Sequence, residues 1–183
     1  MTPITFILLV IGLLIAWLIA IYNTLVRMRM RAREALSDID VQLKRRFDLI
    51  PNLVEAVKGY VKHERSVLEN VTKARAEVAK GGTPLERAGA EDVLSNTLKT
   101  LFAVAENYPD LKANANFLDL QRELSDTENK IQASRRFFNA TIKDINTKIQ
   151  SFPANMVAGP LGFKEMEFFK TEEDEKEPVK VSF

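Results

Sequence analysis

Hydrophobic positions follow two regimes along the chain. From Ile4 to Tyr22 they are nearly continuous: ITFILLVIGLLIAWLIAIY holds no ionisable side chain except tyrosine. As a helix this run would span roughly 28 Å at about 1.5 Å per residue, close to the roughly 30 Å hydrocarbon core of a bilayer. A core helix of that length is out of scale for so small a domain. A cleavable leader would open with basic residues, carry a shorter apolar stretch and end on small residues. Here nothing basic comes first, and the run passes straight into VRMRMRAR. The pattern predicts an uncleaved transmembrane anchor within residues 1–26.

Beyond the anchor the apolar residues become periodic. Leu36, Ile39, Leu43, Ile50, Leu53, Val57, Tyr60, Val67 and Val71 are separated by three, four or seven positions and form one helical stripe. Between Arg27 and Lys80 the only breakers are Pro51 and Gly59. The stripe predicts one long helix over this stretch, with Pro51 as a kink or local loosening. Gly81-Gly82 ends it. Thr83, Pro84 and Glu86 then supply an N-cap, a first-turn proline and the partner of a capping box. A second helix follows from about Pro84 to Asn107, with Leu94, Leu98, Leu101, Phe102 and Val104 as its apolar positions, and Tyr108-Pro109 stops it.

A third long helix starts near Asn116. Phe117, Leu124, Ile131, Phe138, Ile145 and Phe152 recur every seventh residue, and Pro153 closes the element. The companion positions Leu120, Thr127, Ser134, Thr141 and Lys148 are mostly small or polar, which suits close approach of a neighbouring helix. Phe138 is expected at the buried centre of this seam. In the tail, Phe163, Met166, Phe168 and Phe169 are too apolar for a free segment and are expected to dock on the bundle. Glu172–Glu177 is acidic and reads as solvated, while Val179, Val181 and Phe183 alternate as a short strand would. The fold expected is all-α: an elongated antiparallel bundle of three to four helices with a single N-terminal transmembrane helix. It divides into an anchor (1–26), a helical bundle (27–158) and a docking segment with an acidic tail (159–183).

Composition narrows the chemistry. The chain has 183 residues, no cysteine, one histidine and a net charge of +1. Disulfides and thiol chemistry are excluded, and a metal site would have to be built from carboxylates and at most one imidazole. All 26 basic and 25 acidic residues follow Val26. Arg27, Arg29, Arg31 and Arg33 sit directly after the apolar run. By the positive-inside rule they predict an inner-membrane protein with its N-terminus outside and its body in the cytoplasm. The same arginines can attract anionic headgroups.

Candidate sites fare unevenly. His63-Glu64 lacks the second histidine of a zinc protease motif, so a surface or packing role is the better reading. Asp119, Glu123 and Glu128 lack the histidines of a di-metal bundle site. Gly81-Gly82 is not followed by the lysine and hydroxyl of a phosphate loop. Lys44, Arg45 and Arg46 span several helix faces and are flanked by Asp40 and Asp48, so they read as a solvated, ion-paired surface and not as a nucleic-acid patch. Arg46 stands apart, seven residues from both Ile39 and Leu53, which predicts a partly buried stem. Arg135 and Arg136 occupy the third helix similarly. A buried arginine needs an acid, and the pair can set helix register. The structural or interaction candidates are therefore Arg46, Pro51, Arg135, Arg136 and Phe138. No catalytic, metal or cofactor residue emerges.

The sequence also resembles the LemA family of bacterial membrane proteins over nearly its whole length. The likeness rests on YNTLV (22–26), DIDVQLKRRFDLIPNLVEAVKGYVKHE (38–64), the run from AENYPDLKANANFLDLQ through SFPANMVA (105–158) and GFKEMEFF (162–169). Phe138 stands where the family often has tyrosine. The resemblance implies one N-terminal anchor, a long cytoplasmic helical bundle, no established enzymatic activity or cofactor, and a setting in cell-envelope maintenance. The function expected is a non-enzymatic, membrane-tethered scaffold or adaptor. Its partners are the lipid bilayer and either a second copy or another membrane protein, and Gly12 and Ala16 leave room for close helix contact in the anchor. Nucleic acid and small-molecule substrates are not expected. A lipid-binding or membrane-remodelling protein is the alternative, ahead of a carboxylate-based hydrolase.

Overall fold

A computed structural model describes residues 2–61 and 64–169. His63, the acidic run Glu172–Glu177 and the alternating Val179–Phe183 lie outside the described residues. The chain is all-α. In order the helices are α1 (Pro3–Lys58), α2 (Arg65–Val78), α3 (Ala88–Ala105), α4 (Pro109–Lys112), α5 (Ala115–Gln150) and α6 (Asn155–Ala158). Among the described residues there is no strand. These residues fall into two compact units: 2–36 with 136–168, and 37–135 with Phe169.

The second unit is a four-helix bundle of up-down-up-down topology. Arg75 of α2 reaches Phe47 of α1, Arg46 reaches Glu91 of α3 and Glu128 of α5, and Asn114 reaches Tyr60. Ile50, Leu53, Val57, Val71, Leu94, Leu98, Leu101, Phe117 and Leu124 form its core, so the apolar stripe of each helix faces inward. Each such side chain contributes about 1.5–3 kcal/mol on burial. The long helix expected from Arg27 to Lys80 is two helices. It breaks after Lys58, at Gly59 and Tyr60, and not at Pro51, which sits inside α1. Proline removes the N–H that would bond the carbonyl four residues earlier. That carbonyl, on Phe47, accepts a hydrogen bond from Nε of Arg75 at 3.2 Å, and the Arg75 guanidinium lies 3.8 Å over the Phe47 ring. The freed acceptor is satisfied and α1 continues. Gly59 carries the entropic cost of glycine in a helix.

The capping box before α3 forms as the sequence suggested. The Thr83 N–H donates to Glu86 Oε2 at 2.6 Å and the Glu86 N–H to Thr83 Oγ1 at 3.4 Å. These bonds, the backbone one foremost, hold the Glu86 carboxyl below its ordinary pKa. Regular helix begins only at Ala88, after a turn.

In the first unit, Ala32 and Ala35 of α1 and Phe138, Ile142 and Ile145 of α5 are buried. Ile21, Leu25, Ala154, Ala158 and Phe163 make a second apolar cluster. The heptad seam of α5 holds from Phe117 to Ile145 but fails at its last member: Phe152 is 79% exposed, because α5 ends at Gln150 and the chain turns before that register position is reached. The narrow companion row behaves as its chemistry suggests. Thr127 and Thr141 bond back to the carbonyls of Glu123 and Phe137 at 2.7 and 3.0 Å. The extended segment after α6 is clasped by Asn146, whose amide donates to the Met166 carbonyl and accepts the Met166 N–H, both at 2.9 Å. Phe163 is buried and Met166 partly so, whereas Phe168 of the expected docking set is exposed. In the second unit Phe169 is buried.

Candidate functional site: a buried arginine between three helices

Arg46 occupies a core position of α1, in step with Ile39, Leu43, Ile50 and Leu53. A guanidinium cannot be left without partners there, because desolvating an unpaired charge costs several kcal/mol. Its side chain is 1% exposed, and its two terminal nitrogens fan out to two helices. Nη2 donates to Glu91 Oε2 at 2.5 Å and to the Glu91 carbonyl at 3.2 Å. Nη1 donates to Glu128 Oε2 and to Ser95 Oγ, each at 2.5 Å. The Ser95 hydroxyl in turn donates to Glu128 Oε2 at 3.1 Å. Glu91 is as buried as Arg46, while Glu128 keeps a quarter of its side-chain surface.

Two lesser ion pairs belong to the same bundle. Arg87 pairs with Asp40 at 2.5 Å, and Arg135 with Asp92 at 2.7 Å. The Arg135 guanidinium also lies 4.7 Å from the centre of the Phe169 ring. Arg135 is thus an interhelical link, partly buried. Arg136 is not: it is exposed, since adjacent helical residues point about 100° apart and only one of the two can face the bundle. Phe138 is buried in the first unit at 1% exposure, and Pro51 is an exposed member of α1. The triplet Lys44, Arg45 and Arg46 divides by face: Lys44 is exposed, Arg45 lies 3.9 Å from Glu123 and half-exposed, and Arg46 is internal.

The arrangement ties three helices together. Of the three acids considered for metal binding, Asp119 pairs with Arg122 at 3.1 Å, Glu123 faces Arg45, and Glu128 belongs to the Arg46 cluster. Among the described residues no group of three His, Asp or Glu side chains could hold a metal ion. Glu91 went unnoticed in the sequence, although the signal was there. It precedes Leu94, Leu98 and Leu101 by three, seven and ten positions, which places an acid on the apolar stripe of α3.

The other distinctive element is the N-terminal part of α1. It is long and apolar enough to cross a membrane, and only 6% of its most apolar stretch is buried. A core helix would be covered. The family model described as the LemA family matches residues 35–183. The Protein LemA of Metamycoplasma hominis is 29% identical, with 98% of this chain and 82% of that protein covered. A Magnetosome protein MamQ of Paramagnetospirillum magneticum is 28% identical over 85% of this chain and 67% of its own length. The MamQ protein of Magnetospirillum gryphiswaldense is 27% identical, over 81% and 64% respectively.

Proposed function

We propose that this chain, which belongs to the LemA family, is a non-enzymatic scaffold or adaptor tethered to the cell membrane, and that it binds protein partners through the faces of its helical bundle. The observation that carries this reading is the use made of α1. One uninterrupted helix provides both the exposed apolar run and a bundle wall whose inward face is buried from Ile39 to Val57. Its one internal charge, Arg46, is spent on two neighbouring helices. The buried polar groups of the bundle therefore specify helix register, and the residues left for recognition are on its surface.

The arginines at 27, 29, 31 and 33 support an orientation with the N-terminus outside and the bundle in the cytoplasm. A role in maintaining the cell envelope, with a second copy or another membrane protein as partner, fits such a tether. Crosslinking in intact membranes, read by mass spectrometry, tests it. The exposed lysines Lys58, Lys99 and Lys143 should give reproducible crosslinks between chains at defined positions. Recovery of the protein only as an uncrosslinked monomer would overturn the adaptor reading.

A further inference from the structure

Ser151–Phe163 reads SFPANMVAGPLGF, thirteen residues without a charge, between Gln150 and Lys164. Segments of this kind in a soluble loop usually fold their apolar residues inward. Here two of them do, Ala154 and Ala158, and Phe163 joins them against Ile21 and Leu25. Three large ones do not: Phe152, Met156 and Leu161 are exposed. Leu161 is exposed at a particular place. Val157, Pro160 and Leu161 form an apolar cleft of about 370 Å³ with Leu18, Ile19 and Tyr22 of α1. Those α1 residues lie five to nine positions before Arg27, the first charge on the chain. At about 1.5 Å per residue, that is roughly 7–13 Å inside the arginine collar.

The geometry points to a second membrane contact: residues Phe152–Leu161 form an apolar foot that enters the same leaflet in which the anchor ends, with lipid acyl chains covering Phe152, Met156 and Leu161. This rests on α1 crossing the bilayer. Three observations favour lipid as the occupant. First, the cleft is continuous with the apolar surface of the anchor itself, so the medium that covers Leu18 and Ile19 also covers Leu161.

Second, much of the foot's backbone is hydrogen-bonded within the segment itself. The N–H groups of 155–158 and 161–163 all donate to carbonyls within 151–163, at 2.9–3.3 Å. Pro153 and Pro160 have no N–H to satisfy. An unsatisfied backbone group costs several kcal/mol in hydrocarbon, so this internal bonding lowers the cost of entering the leaflet. Third, the foot is fixed to the collar. Arg29 donates to the Gly162 carbonyl at 3.0 Å and its guanidinium lies 4.2 Å over the Phe163 ring, which also meets Tyr22 edge-on. The turn that presents that carbonyl passes through Gly162 at φ 77°, a conformation side chains disfavour. Apolar groups inward of a basic, aromatic belt make up the profile of an interfacial element.

The absence of cysteine makes the test direct. Full-length single-cysteine variants Met156→Cys and Leu161→Cys would carry a nitroxide label in vesicles of phosphatidylcholine and phosphatidylglycerol. Ile11→Cys marks the anchor and Ser125→Cys an exposed bundle position. Accessibility to oxygen, which partitions into lipid, is compared with accessibility to a water-soluble nickel chelate. The foot predicts an oxygen-to-nickel ratio at 156 and 161 well above that at 125 and approaching that at 11. A lipid-like ratio at 11 with water-like ratios at 156 and 161 would overturn the foot while leaving the anchor intact. A water-like ratio at 11 would overturn both. Protection of 156 and 161 from both reagents, with spin–spin broadening, would show a second copy on this face and would also overturn it.

Discussion

Arg75 donates its Nε–H to the carbonyl of Phe47, the acceptor that Pro51 deprives of its helical partner. The bond spans 28 residues and joins α2 to the point where α1 should be weakest. Its worth depends on the proline. Arg75→Met should cost about 1–2 kcal/mol, combining a charged hydrogen bond and the stack on Phe47. Pro51→Ala restores a backbone N–H that can bond the Phe47 carbonyl itself, and in that background the same change should cost less by about 0.5–1.5 kcal/mol. Denaturant unfolding of the four chains measures the difference, and additive effects would show that the two sites are independent.

The Arg46 cluster gives a larger signal. Arg46→Met leaves Glu91 buried without its partner and should cost about 3–5 kcal/mol. Changing both, Arg46→Met with Glu91→Met, removes the stranded charge and should recover much of that loss. Equilibrium unfolding of the full chain in detergent tests both. A single-variant cost below about 1 kcal/mol would mean that water reaches the cluster.

Two phenylalanines in the same heptad register should behave oppositely. Phe138→Ala, at a buried site, should cost about 3–5 kcal/mol. Phe152→Ala, at a site 79% exposed, should stay within about 0.5 kcal/mol. Thermal unfolding of the two variants side by side is sufficient, and equal shifts would contradict the end of α5 at Gln150.

Glu86 predicts a pH effect at the start of α3. Its carboxyl is held below its ordinary pKa by the Thr83 backbone N–H and then by the Thr83 hydroxyl. A group whose folded pKa is depressed stabilises the fold above its unfolded pKa, and that contribution is lost as pH falls through the folded value. Carboxyl ¹³C titration should place Glu86 below the ordinary value of a glutamate. Thr83→Ala should raise its midpoint only part of the way, because the backbone donor remains. No movement at all would exclude the hydroxyl from the box.

Topology is open to the same cysteine chemistry. Ser125→Cys in intact cells should resist a membrane-impermeant maleimide until the cells are opened. Labelling from outside would place the bundle on the other face of the membrane.

Arg46 was readable because periodicity exposes any residue that breaks the chemistry of a stripe, and the same logic should have found Glu91. The break after Lys58 was hidden for a related reason. Val57 and Val71 face one core from two helices, so the apolar phase carries across the short connection as if the helix were whole. Phe152 misled in reverse: its register was right, but the helix that gives register its meaning had already ended. The return of 151–163 to α1 left no periodic trace. It depends on Arg29 meeting a backbone carbonyl, and carbonyls carry no sequence signature.

That return also orders events in time. Arg29 and Gly162 are 133 residues apart, so at ~5–20 residues per second the carbonyl leaves the ribosome roughly 7–27 s after its guanidinium. Ile21 and Leu25 are therefore made well before Ala158 and Phe163 exist. Until then Ile21 and Leu25 lack the neighbours that Ala154, Ala158 and Phe163 later supply. A stretch made late thus closes over one made early.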